Sequence, residues 1–226
     1  MVDKISHARK KELEQPDPFL ESIHNGINKA VKYKKQLIWI SCAVVAVIVI
    51  FTGTVYSIRT AGNNASALLT DALERYSDKD PVKGYDAVKD DFKTIMDEYS
   101  NTAAGRVAMI RFAEICYKAS KLDQAYEMYQ TALDEFSSDP VMNNLLLASL
   151  GHTCQAQKRY KEALKYFKKI VKGKSSFLKD EALFNMGILF AHTGDEKESE
   201  KVFKQIVSDH GASLYLPMAE NRLAGN

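Results

Sequence analysis

Apolar residues follow three different patterns along this chain, and each predicts a different element. From Gln36 to Ile58 there are 23 consecutive residues without a charge, with the core LIWISCAVVAVIVIFTGTVY. A helix of about 20 residues rises roughly 30 Å, the thickness of a bilayer's hydrocarbon layer, so this run predicts a transmembrane helix. Val and Ile are mediocre helix formers in water, but in lipid the unpaired backbone groups enforce the helix. Trp39 and Tyr56 stand near its two ends, where interfacial aromatics belong. Just upstream, Leu20, Ile23, Ile27, Ala30 and Val31 recur at helical spacing beside lysines between Phe19 and Lys35. That stretch predicts an amphipathic helix, either lying on an anionic leaflet or extending the span.

From about residue 80 the pattern repeats on a longer scale. The segments GYDAVKDDFKTIMDEYS, KLDQAYEMYQTALDEFS, KRYKEALKYFKKIVKG and DEKESEKVFKQIVSDH align on a small or β-branched residue, an aromatic four later, and an aliphatic or Ala three after that. The triplets are Val88-Phe92-Ile95, Ala125-Tyr129-Ala132, Ala163-Phe167-Ile170 and Ser199-Phe203-Ile206, with first members 37, 38 and 36 residues apart. Helices that precede three of them carry their own matching set: Met109, Phe112, Ala113 and Cys116; Leu147, Leu150, Gly151 and Cys154; Leu183, Met186, Gly187 and Phe190. The central small residue marks where the second helix of a hairpin comes closest to the first, since a large side chain there would hold the axes apart.

These residues resemble the tetratricopeptide repeat family over roughly residues 80–212, whose helix-turn-helix period is about 34 residues. The resemblance implies an all-α fold: a single transmembrane helix followed by an α-solenoid of about four helical hairpins. The first hairpin is degenerate, because Arg75 and Tyr76 stand where a Leu and a small residue belong. A last helix, about Leu214 to Leu223, is expected to cap the final apolar face. The expected organisation is a basic tail over 1–35, a signal anchor over 36–58 and a repeat domain over 59–226. A cleaved signal peptide is disfavoured by the length of the apolar run and by the 35-residue segment before it. A lipoprotein signal is disfavoured because Cys42 opens the run and Trp39 precedes it.

Charge adds a direction. Lys29, Lys32, Lys34 and Lys35 crowd the N-terminal flank, while Arg59 stands alone on the other side until Arg75. The positive-inside rule then places the tail in the cytoplasm and the repeat domain across the membrane, in the periplasm of a bacterium. Residues 1–35 hold eight Lys/Arg against five Asp/Glu, and residues 59–226 hold 23 against 24. The nearly neutral folded part argues against nucleic acid as a partner. With only 11 Gly and 5 Pro, breakers are few enough for long helices. The lysine-rich tail, the single anchor and the short degenerate array together resemble the bacterial YfgM-like family, the ancillary subunit of the Sec translocon. That resemblance implies an inner-membrane protein with translocon subunits, periplasmic chaperones or exported chains as partners, and a chaperone-like role. The alternative is a structural scaffold or assembly factor for a cell-envelope complex.

In such an array the first helix of each hairpin lines the groove. The groove positions carried over are Val107, Ile110, Glu114, Tyr117 and Lys118; Leu145, Ala148, His152 and Gln155; and Phe184, Ile188, Ala191 and His192. They form a mixed, fairly apolar surface without the Lys/Asn/Arg set of a carboxylate clamp, suited to an exposed hydrophobic segment or a partner helix. Simple packing against neighbouring helices is the competing reading for Ile110, Phe184 and Ile188. Between Lys158 and Lys179 there are nine Lys/Arg and one Glu, with Lys161, Lys165, Lys168 and Lys172 on one helical face. This is either a solvated outer face or a docking face for anionic lipid or an acidic partner. Cys116 and Cys154 fall at equivalent repeat positions, too far apart for a bridge, and are expected as buried thiols. His152, Cys154 and His192 lack metal-ligand spacing, so no metal is expected. The chain has no phosphate loop, nucleophile elbow or zinc-protease motif, so neither catalysis nor a cofactor is expected.

Overall fold

The computed structural model describes residues 18–225, with ten helices among them and no strand. The part of the basic tail over residues 1–17 lies outside the described residues. The helices are α1 (Pro18–Lys32), α2 (Lys34–Ser77), α3 (Pro81–Tyr99), α4 (Ala103–Lys118), α5 (Leu122–Glu135), α6 (Pro140–Ala156), α7 (Tyr160–Lys172), α8 (Lys179–His192), α9 (Glu196–Asp209) and α10 (Leu216–Ala224). The chain divides into two compact units between Arg59 and Thr60.

In the first unit, α1 and the start of α2 expose every side chain described, including Trp39, Ile50 and Phe51. The apolar window of α2 is long enough to cross a membrane, and none of it is buried. Inside this stretch Thr52 and Thr54 return their hydroxyl protons to the carbonyls of Ile48 and Ile50, each at 2.8 Å. Polar groups satisfied within their own helix are what a lipid-facing helix requires.

In the second unit, each helix from α3 to α10 packs on the next, as in a solenoid. Local chemistry sets the starts. Asp80 and Asp139 each accept two backbone N–H bonds at the heads of α3 and α6, and Pro81 and Pro140 fill the position where a missing N–H costs nothing. Packing completes the elements. All twelve triplet residues are buried, from Val88, Phe92 and Ile95 to Ser199, Phe203 and Ile206. They form two continuous cores, one from Leu69 to Leu150 and one from Leu147 to Ala219.

The closest approaches fall where the sequence places its small residues. A Cβ added to Gly151 would lie 2.6 Å from the Phe167 ring, and one added to Gly187 would lie 2.6 Å from the Phe203 ring. Ser199 then fixes the α8–α9 hairpin by donating to the Gly187 carbonyl at 2.9 Å. At the degenerate first hairpin the exchange is reversed. Tyr76 is bulky, and Gly84 across from it leaves the space, since a Cβ there would meet the Tyr76 ring at 2.6 Å. Arg75 ties the same corner together by pairing with Asp91 at 2.7 Å. The capping helix begins at Leu216 rather than near Leu214, because Ser213 turns the chain by accepting from the Tyr215 N–H and Pro217 sets the first helical turn.

Gly187→Ala is expected to lose about 1–3 kcal/mol through overpacking against Phe203. For a chain of this size that lowers the melting midpoint by roughly 2–4 °C per kcal/mol. In a Phe203→Leu background the same substitution should cost much less, and circular dichroism melts of the four proteins measure the difference.

Candidate binding groove

α4 and α6 are the first helices of successive hairpins, and they flank a groove floored by α5. Its larger cavity, about 540 Å³, is walled by Val107, Ile110, Arg111 and Glu114 of α4 and by Met142, Leu145 and Ser149 of α6, with Tyr129 of α5 at the bottom. A second cavity of about 280 Å³ continues from Tyr129 and Ser149 to Tyr117 and His152. The groove therefore runs from an apolar end to a hydrogen-bonding end. At the apolar end Val107 and Leu145 keep 44% and 38% of their surfaces open to solvent, which is where a partner's apolar side chain would gain most.

Charge is concentrated on the α4 wall. Glu114 accepts from Lys118 at 2.7 Å and from Arg111 at 3.2 Å. Burial pushes this carboxyl upward, but the two cations outweigh it and hold the pKa below the ordinary carboxylate value. Burial, with Glu114 nearby, pushes the Tyr129 hydroxyl up to about 12, so it stays a neutral phenol. At the polar end His152 sits between Gln155 and Glu181, its Nδ1 3.2 Å from Gln155 Oε1 and its Nε2 3.0 Å from Glu181 Oε1. The ring also meets the edge of Phe167, so it is held from three directions.

Of the positions expected from sequence, Val107, Ile110, Glu114, Tyr117, Leu145 and His152 line these two cavities, Ile110 while also packing on the first core, and Lys118 and Gln155 touch them through Glu114 and His152. Ala148 does not face the groove: it is only 4% exposed and belongs to the second core, because the open stripe of α6 runs through 142, 145, 149 and 152 instead. The fourth hairpin reaches the groove only through Glu181, which holds His152, and its expected positions do not line either cavity. Phe184 stacks on Tyr215 at 5.1 Å and leans on Phe203 at 5.8 Å, so the segment before α10 covers part of it and leaves it half-buried. Ile188 packs against the second core, Ala191 is half-buried beside it, and His192 lies against Tyr160 at 4.5 Å. Sequence reasoning missed Arg111, Met142, Ser149 and the place of the buried Tyr129 in the floor. The spacing of 142, 145, 149 and 152 was the available signal.

Cys116 and Cys154 are free and buried, one in each core. Burial raises the first thiol to about 12 and the second to about 11.

The family model for a tetratricopeptide repeat-like domain matches residues 31–182. A second, for a tetratricopeptide repeat, matches residues 181–213. No curated protein matches the chain. A tetratricopeptide repeat protein from Parabacteroides merdae, solved by crystallography, superposes with a TM-score of 0.54 at 16% identity, covering 70% of this chain and 59% of that one. At that identity the likeness is one of fold.

Two outcomes follow. Lys118→Ala should lower the melting midpoint at pH 7, where Glu114 is ionised, and the effect should shrink as pH falls below the ordinary carboxylate range. A depressed carboxylate contributes its stability above its ordinary value and loses it as pH falls through the folded one. Both buried thiols should resist an aromatic disulfide reagent in the native chain and react at once in denaturant.

Proposed function

The chain belongs to the tetratricopeptide repeat-like domain family, and on that premise we propose a membrane-anchored module that receives newly exported chains beside the Sec translocon. Protein–protein interaction is what such repeats point to. The finer reading adds a place and a ligand. The span over 36–58 holds the protein in the inner membrane of a bacterium, with the lysines before it in the cytoplasm and the repeat domain in the periplasm. The ligand is an exposed apolar segment, taken up between α4 and α6.

The observation that carries this reading is the character of the groove. Val107 and Leu145 offer open apolar surface with Ile110 and Met142 half-buried beside them, and Glu114 offsets one of its two neighbouring cations, Arg111 and Lys118. Such a site recognises shape and apolarity more than a particular charge, which suits many unfolded chains bound weakly. The floor is the buried Tyr129, with Tyr117 half-buried beside it.

The test is photo-crosslinking in cells with the probe at Leu145, and separately at the half-buried Phe184 as a control outside the groove. The expected result is translocon subunits and a spread of exported chains at Leu145, lost when secretion is blocked, and little at Phe184. With the probe at Leu145, Val107→Asp with Met142→Asp should reduce the yield about ten-fold, the equivalent of roughly 1.4 kcal/mol. One dominant partner that persists when secretion is blocked would replace this reading with a scaffold for an envelope complex.

A further inference from the structure

The second helices of the four hairpins turn a single stripe of side chains outward, opposite their buried triplets. On α3 the stripe is Asp86, Asp90, Lys93 and Asp97, and on α5 it is Asp123, Glu127, Gln130 and Asp134. On α7 the same repeat positions are Lys161, Lys165, Lys168 and Lys172; on α9 they are Lys197, Lys201, Lys204 and Ser208. All sixteen side chains are exposed. The sign therefore inverts once, between α5 and α7, at the same positions of a repeated helix.

The inversion is sharpest at that boundary. α5 carries four carboxylates and no cation, while α7 carries five lysines and Glu162. The outer charges of α3 and α9 are partly met on their own helices, by Lys89 on Asp86 and by Glu198 and Glu200 on Lys201 and Lys204. Those of α5 and α7 are not. Among the described residues no ion pair joins the two helices. The links across this boundary lie elsewhere: the Tyr126 and Tyr166 hydroxyls are 2.8 Å apart, the Arg159 guanidinium just before α7 sits 4.5 Å over the Tyr126 ring, and Gln157 at the end of α6 donates to Asp123 at 2.7 Å. Two opposite stripes lie side by side on one surface, and neither satisfies the other.

The geometry points to a second copy of this chain as the partner of this outer surface. A two-fold axis lying between α5 and α7 and running along them would lay the α5 stripe of one copy over the α7 stripe of the other, and the reverse. Equivalent repeat positions then meet, Glu127 with Lys165 and Asp134 with Lys172, twice over. An isologous contact needs a self-complementary patch, and adjacent stripes of opposite sign form one. Exposed ion pairs are individually weak, so this contact depends on the number of charges and on salt. It uses the opposite side of the array from the groove and leaves that site open.

The full-length chain in detergent micelles, followed by sedimentation velocity, tests this. Raising salt from 0.1 M to 1 M shortens the screening length from about 10 Å to about 3 Å and should weaken self-association at least ten-fold. Glu127→Lys with Asp134→Lys, or Lys165→Glu with Lys172→Glu, should each produce the same loss with the helical melt retained. Mixing those two variants should restore a mixed dimer, and all four substitutions on one chain should restore the homodimer. Self-association unchanged by either pair, or not restored by mixing, overturns the proposal. So does wild-type binding to phosphatidylglycerol vesicles that the lysine reversals abolish while the fourfold variant stays monomeric. In that case the basic half is a lipid-facing surface.

Discussion

Within the repeat domain everything depends on two helices of a hairpin approaching closely enough to share one aromatic ring. Phe167 lies over Gly151 and Phe203 over Gly187, at distances that leave no room for a Cβ. Interiors are packed densely enough that a single methyl group is felt, so this contact fixes the spacing of the hairpin. Fixed spacing places α4 and α6 far enough apart to leave a groove and aligns α5 and α7 so that their outer stripes lie side by side. The groove and the charged surface are two consequences of one packing constraint.

Much of this was legible in the sequence because the constraint is periodic. A small residue, an aromatic and an aliphatic recurring at 36 to 38 residues specify both the buried face of each helix and the closest point of each hairpin. All twelve triplet residues are buried. The degenerate hairpin was visible as a defect at Tyr76, but its remedy was not. Gly84 stands across the contact on another helix, and no spacing rule within α2 points to it. Compensation between elements is a tertiary fact.

The groove was legible only where it follows the repeat. Ile110, Glu114, Leu145 and His152 lie where the repeat register places them. Ala148 failed by one residue, a rotation of about 100° on a helix, which separates an open stripe from a core. Phe184 failed for a different reason. Its register is correct, but Tyr215 folds back over it, and contacts made by a terminal segment leave no periodic trace. The two cavities are thus narrower than the repeat pattern implies, lined by the second and third hairpins.

The central claim is that a protein partner occupies the groove between α4 and α6. Hydrogen exchange on the full-length chain in membrane vesicles, with and without a bound unfolded secretory chain, tests it most directly. The account predicts added protection in residues 107–118 and 142–152, with 179–192 unchanged. Protection confined to other helices, with 107–118 and 142–152 exchanging as before, would contradict it.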